Sequence, residues 1–361
     1  MSYPGWGRTC ALPRADGAAD RQRSIKPEAE MQKKKSLGIL SDQKGIVFII
    51  VILLYIFFSI ISKDFRKYST LVMMLDSTYY ILLMAIGVTF PLITGGVDLS
   101  IGTGMICYGL TGGFLVVQKG YPTWVGLVVA VLFGLVIGII NGVLVAIMDL
   151  PPFLATLCTC MMTRGLGSIC ANSFAIPWPG AKAEGGWFHA IFKLTVGAGR
   201  KAMNYPVGVI VLAVIVLIMS FVLNHTRVGR YTIAIGSNKE ATRLSGVNVK
   251  AYHITAYAIS GLFAGLASLA YAAAIPTIQP GTGAGLELDA IGGAIVGGVS
   301  PTGGAGSVIG TMLGVFVIQL LKTGLPYIGL EANWQQIVTG LVLIGAVLID
   351  VIKQRRAALE T

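Results

Sequence analysis

Residues Thr78 to Val117 read TYYILLMAIGVTFPLITGGVDLSIGTGMICYGLTGGFLVV, an apolar run interrupted once, at Gly95-Gly96-Val97-Asp98-Leu99-Ser100. A bilayer core takes about 20 apolar residues of helix. The run is twice that length, so it predicts two spans joined by a turn or an unwound segment, which paired glycines and a carboxylate supply. An acidic group at membrane depth is a functional candidate by default. Asp98 also stands where it would cap the helix that follows, and capping is the expected role.

Composition extends this reading to the whole chain. Of 361 residues, 55% are hydrophobic and 12% charged, against about 25% charged in soluble domains, and the mean hydropathy is +0.77. These values describe an all-α, polytopic membrane protein. The 47 glycines concentrate in the apolar segments; lipid gives no hydrophobic drive between helices, so small residues there predict close backbone packing. The net charge of +11 would suggest nucleic acid in a soluble protein. Here the basic residues gather in tails and loops, as membrane orientation requires, and no nucleic-acid partner is expected.

No catalytic or metal centre is expected either. Cys10, Cys107, Cys158, Cys160 and Cys170 form no spaced framework, and Cys158-Thr159-Cys160 has no further ligand at metal spacing. His189, His225 and His253 lie far apart, and no phosphate-binding G-x-x-x-x-G-K-[ST] loop occurs. The reading is therefore of a chain that is not an enzyme and binds no cofactor itself.

Taken in order, residues 1–45 form a basic, disordered tail; residues 46–352 form the membrane domain, with the loop 224–250 inside it; and residues 353–361 form a basic C-terminal tail. The basic clusters place both tails and the loop on the cytoplasmic side. About ten spans are expected: Ile46 to Ile61, the two halves of the broken run, Trp124 to Met148, Leu154 to Asn172, Pro206 to Leu223, Ile254 to Ala274, Leu286 to Val299, Gly304 to Leu321 and Trp334 to Ile352. The eighth is short enough to be broken or re-entrant. Asn141 in the fourth span should bond a neighbouring helix, and Arg164 in the fifth must face protein or water. On the far side, residues 176–205 carry Trp178, Trp187 and Phe188, which suggest seating at the membrane surface. Lys182, Lys193, Arg200 and Lys201 in that loop run against the positive-inside pattern.

An internal echo supports two repeated halves. Gly95-Gly96-Val97, then Gly102, Gly104 and Gly112, recur at one constant offset as Gly297-Gly298-Val299, then Gly304, Gly306 and Gly314. Broken, glycine-interrupted segments at matching positions of two halves are a mark of transporters. The pathway or broken-helix candidates are thus Gly95, Gly96, Asp98, Asn141, Asp289, Gly297 and Gly298. One reading makes Asp98 or Asp289 the coupling acid of a secondary transporter of small polar solutes; another makes the chain a membrane scaffold whose loop docks a soluble partner.

The loop is NHTRVGRYTIAIGSNKEATRLSGVNVK, Asn224 to Lys250. Ser237-Asn238-Lys239-Glu240 reads as a capping box with Ser237 as the cap. The helix it opens is at most about two turns long before Gly246 stops it, and so short a helix needs a surface to pack on. Ala241 and Leu244 make its apolar patch, fringed by Lys239, Glu240 and Arg243.

These stretches resemble one family. Gly229 to Val249 is similar to the signature cytoplasmic loop of permease subunits in bacterial ATP-binding-cassette sugar importers of the ribose/galactoside/xylose type. Gly95 to Gly102, Pro151-Pro152-Phe153-Leu154-Ala155-Thr156-Leu157, Glu287 to Ile291 and Val296 to Ser300 resemble other segments of that family in the same order. Tyr327-Ile328-Gly329 with Trp334-Gln335 is reminiscent of galactoside permeases. Thr242 departs from the family's usual alanine.

The resemblance implies a non-enzymatic subunit in the bacterial inner membrane. It pairs with a second permease chain, receives sugar from a periplasmic sugar-binding protein, and is driven by cytoplasmic ATPase subunits that use the ATP. It also implies that Gly229, Arg230, Gly236, Ser237, Asn238, Glu240, Ala241, Arg243, Leu244 and Gly246 form the ATPase-coupling loop. Leu244 and Ala241 would be its buried contacts, and Arg230, Glu240 and Arg243 its polar rim.

Overall fold

A computed structural model describes residues 43–197 and 203–359. The tail expected at 1–45 falls outside them up to residue 42, as do Arg200 and Lys201. The helices are α1 (Gln43–Ile61), α2 (Tyr68–Ile93), α3 (Ile101–Val117), α4 (Thr123–Ala146), α5 (Pro152–Cys170), α6 (His189–Phe192), α7 (Gly208–His225), α8 (Arg227–Ser237), α9 (Lys239–Leu244), α10 (Val249–Ala274), α11 (Leu286–Val296), α12 (Val308–Tyr327) and α13 (Ala332–Leu359). Seven of them, α1, α2, α4, α5, α7, α10 and α12, are long and apolar enough to cross a membrane, and α3 and the Asn333–Leu348 part of α13 are shorter apolar helices. Each expected span has its helix. The eighth, α11, has 11 residues, about 16 Å at the usual rise, or about half a bilayer core.

The broken run is a helix pair with a gap. α2 stops at Ile93 because Gly95 takes φ +81° and lets the chain fold back. The Gly95 N–H then donates to Leu92 O and the Gly96 N–H to Pro91 O, both at 2.9 Å, a paired ending that glycine adopts without steric cost. α2 begins ten residues before Thr78. Its first turns mix Ser69, Thr70, Asp76 and Ser77 with apolar residues, so hydropathy alone does not mark them. From Thr78 to Ile93 every residue of α2 is buried, which makes it the central post of the bundle.

α2 packs on α10, and α10 on α4, through glycine. A Cβ at Gly134 of α4 would come within 2.4 Å of Gly261 O on α10. A second seam joins α11 to α12, where a Cβ at Gly297 would meet Gly310 O at 2.1 Å and one at Gly314 would meet Gly293 O at 2.0 Å. Both seams use glycines four apart, so backbones touch where side chains would hold the helices apart. The outward faces of α1 and α7 are rows of exposed large apolar residues, Ile46 to Ile61 and Val209 to Phe221, as lipid-facing helices require.

Three expectations change. The two halves are related with a shift: the left-handed glycines that end α2 and α11 are Gly95 and Gly298, not Gly95 and Gly297. Gly298 and Val299 N–H close back on Ile295 and Ala294 as Gly95 and Gly96 do on Leu92 and Pro91, so the structural equivalence runs one residue longer than the sequence echo. Trp178 and Phe188 are buried, not at a membrane surface. The Trp178 indole N–H donates to Gly109 O at 3.1 Å, because Ile176–Pro177 (β1) pairs with Thr277–Ile278 (β4) and draws this loop onto α3; Trp187 is exposed. The same loop holds a hairpin of β2 (Leu194–Val196) and β3 (Met203–Tyr205). Finally, the C-terminal tail from 353 continues α13 as helix to Leu359.

Candidate functional site

The stretch from Asn224 to Lys250 is a hairpin of two helices, not a solvated loop. α8 opens at Thr226, whose hydroxyl accepts from the Gly229 N–H at 3.5 Å. Gly229 is required there: a Cβ would lie 1.9 Å from Leu223 O, where the chain doubles back from α7. Gly229, Thr232 and Ile235 are buried, and Tyr231 packs edge-on against Tyr252 of α10 with ring centroids 4.8 Å apart. The Arg230 guanidinium donates to His225 O at 3.3 Å, which ties it to the end of α7.

α9 is capped one residue later than the capping box predicts. Ser237 closes α8, its hydroxyl donating to Ile233 O at 3.0 Å, while Asn238 Oδ1 accepts from the Ala241 N–H at 2.9 Å and is the cap. Asn238 has the extended backbone a cap needs and Ser237 is still helical, so the asparagine side chain takes the role. Glu240 does not reach back. It pairs with Arg243 one turn on, and that bond holds the Arg243 guanidinium above its ordinary pKa. α9 has six residues and Gly246, at φ +81°, stops it. Thr242 faces inward, its hydroxyl donating to Asn238 O at 2.8 Å. Ala241, Glu240 and Arg243 face outward, and Leu244 is 78% exposed.

The inner end of this hairpin meets the interrupted segments directly. A Cβ at Gly236 would lie 1.8 Å from Ile93 O, at the end of α2, and 2.4 Å from Gly304 N, in the link from α11 to α12. Gly304 N–H itself donates to Ile93 O at 2.9 Å. Ile93, Gly303 and Gly304 belong to this contact and were not singled out from the sequence; Gly304 stood in the echo, but nothing local to it announces a contact with residue 236.

The broken segment after α2 is held by a buried polar cluster. Asp98 Oδ1 accepts from the Ser100 N–H at 3.0 Å and from the Ser100 hydroxyl at 2.6 Å, and Oδ2 accepts from the Ser260 hydroxyl of α10 at 2.7 Å. Asn141 Nδ2 of α4 donates to Ser100 Oγ at 2.9 Å. Asp98, Asn141 and Ser260 are fully buried. Three donors and the positive end of α3 compensate the carboxylate without a counter-ion. The Tyr257 hydroxyl and Asn141 Oδ1 have no partner among the described residues, and a Cβ at Gly96 would come within 2.3 Å of the Tyr257 hydroxyl. Asp98 and Asn141 thus come together, whereas Asp289 lies apart in the first turn of α11, paired with Lys322 of α12.

Residues 70–347 match the family described as "Branched-chain amino acid transport system / permease component". Among curated proteins, the chain is 33% identical over 317 residues to the ribose import permease protein RbsC of Escherichia coli K12, covering 87% of this chain and 95% of that one. It is 32% identical to RbsC of Haemophilus influenzae, over 84% of this chain and 91% of the relative. It is 31% identical to the autoinducer 2 import system permease protein LsrC of Salmonella typhi, over 86% of each. No solved structure matches the chain. With more than three quarters of its length matched by the family and a relative 33% identical over 87% of it, the chain belongs to this family of permease components.

Proposed function

We propose that the chain is the membrane-spanning permease subunit of an ATP-binding-cassette importer that carries a monosaccharide or small glycoside inward across a bacterial inner membrane. Both termini and the α8–α9 hairpin lie on the cytoplasmic side. A second permease chain completes the pathway, a periplasmic sugar-binding protein delivers the cargo, and separate ATPase subunits dock on α9 and use the ATP, so this chain binds no cofactor. Two relatives named for ribose import favour a sugar over the amino acids of the family description.

The observation that carries this reading is the pairing, on one hairpin, of an exposed Leu244 with a Gly236 set against the backbone of Ile93 and Gly304. A partner that moves α9 moves α8, and α8 abuts the ends of both interrupted segments. The secondary-transporter reading has less support: Asp98 is enclosed by hydroxyl donors and Asp289 is ion-paired with Lys322. Uptake into vesicles tests the choice. The importer takes up sugar only with its ATPase and ATP present; uptake on an ion gradient alone, without them, would overturn the proposal.

A further inference from the structure

The half of α2 remote from Ile93 lines a cavity of about 400 Å³ between α2, α11 and α12, within the ~300–1,000 Å³ range of small-molecule sites. Ser77, Tyr80, Asp289, Gln319, Lys322 and Thr323 line it. Polar groups at membrane depth are costly, and those that persist mark pathways. Lys322 Nζ donates to Asp289 Oδ2, and the Asp289 side chain is 6% exposed. Asp289 Oδ1 receives no donor from the described residues. Gln319, 4% exposed, accepts one long bond from Ser77 Oγ, 3.5 Å. Its amide nitrogen and the Thr323 hydroxyl have no partner among the described residues. A second cavity, of about 310 Å³, shares Met73 with the first and is bounded by Asp76 and Lys193, an ion pair at 2.7 Å. The two cavities therefore lie in succession along α2, from the β2–β3 hairpin to Asp289.

We propose that the Asp289–Lys322 cavity is a binding site for a polyhydroxylated carbohydrate on its way through the membrane. The inference rests on the sugar-import reading. A sugar presents hydroxyls that each donate and accept; a lone carboxylate oxygen, an ammonium, an amide and a hydroxyl offer both roles in one wall. Tyr80 and Met73 supply the apolar face. Because Asp289 and Lys322 already neutralise one another, the site carries no net charge for an ionic solute. A neutral polyol meets these groups without breaking their pair, whereas a zwitterionic amino acid would have to part them. Binding is weak, since each ligand bond replaces one to water.

The test uses Thr323→Cys in the full chain, with its other cysteines replaced by serine, copurified with its ATPase in nanodiscs. The rate of modification by a methanethiosulfonate reagent is read with D-ribose, D-xylose, D-galactose or L-leucine added. One of the sugars should slow modification at least about threefold and L-leucine should not. Gln319→Ala should raise the half-protecting sugar concentration about fivefold, the loss of one hydrogen bond, with ATPase copurification and thermal stability unchanged. Protection by L-leucine would overturn the proposal. So would the absence of protection by a sugar that the same Thr323→Cys transporter imports with ATP. If the wild-type transporter imports L-leucine with ATP and none of the three sugars, the sugar-import reading itself fails and this site falls with it.

Discussion

Gly236 lies directly on the carbonyl oxygen of Ile93, so closely that a single added Cβ would come to 1.8 Å from it. Ile93 is the last residue of α2, Gly236 the penultimate residue of α8, and the same carbonyl accepts from Gly304. Three backbones meet with no side chain between them. Packed backbone transmits displacement with little compliance, so movement of the hairpin reaches both halves of the bundle at one point.

Gly236→Ala should uncouple the transporter. The methyl meets backbone atoms of two segments, which cannot rotate away, and overpacking of this kind costs about 1–3 kcal/mol. ATP-dependent uptake should fall by about tenfold or more while the chain still inserts and binds its ATPase. Wild-type uptake in this variant would show that the contact transmits nothing.

Asp98→Asn should retain most transport. The amide oxygen still accepts from the Ser100 N–H, and the Ser260 hydroxyl turns to accept from the new NH₂. Asp98→Ala leaves these buried donors unpaired at about 1–3 kcal/mol each, and should lower the yield of folded protein and its melting temperature in detergent. Loss of uptake in Asp98→Asn with normal yield would instead indicate a coupling acid.

Gly297→Ala and Gly340→Ala separate packing from composition. The first places a methyl 2.1 Å from Gly310 O, in the α11–α12 seam; the second meets nothing within 4 Å. Thermal unfolding in detergent should show Gly297→Ala melting several degrees lower, with Gly340→Ala at or slightly above wild type. Equal melting temperatures would count against the glycine seam.

The topology follows from labelling in intact cells. In a cysteine-free chain, Glu184→Cys, exposed in the far-side loop, should react with a membrane-impermeant thiol reagent, and Lys239→Cys, exposed on α9, should not. Labelling at Lys239→Cys in sealed cells would contradict the cytoplasmic hairpin.

Most of the fold was legible because length and hydropathy decide it. The break at Gly95 to Ser100, the short eighth segment and the glycine-rich seams all follow from what lipid allows. What escaped were features set by tertiary contact. α8 was missed because Arg227 to Ser237 is polar on one face only, and its buried face, Gly229, Thr232 and Ile235, has little hydropathy of its own. Ser237 and Asn238 are both good caps, and only the backbone angle decided for Asn238. The one-residue shift between halves was invisible because both Gly297 and Gly298 fit the echo. Lys322 gave no sign of its partner: it is 33 residues from Asp289, and only the crossing of α11 and α12 joins them.

The most direct test of the central claim is Leu244→Asp. Leu244 is 78% exposed, so the change costs the isolated chain little, and any large effect must come from what covers it. A carboxylate buried unpaired at a docked interface costs several kcal/mol, enough to weaken binding by at least about a hundredfold. The measurement is copurification of the ATPase with the solubilised variant, alongside ATP-dependent uptake. The account predicts normal insertion, loss of the ATPase and loss of uptake, with Arg243→Ala much less affected. A Leu244→Asp chain that keeps its ATPase and imports sugar at the wild-type rate would contradict the assignment of α9 as the coupling helix.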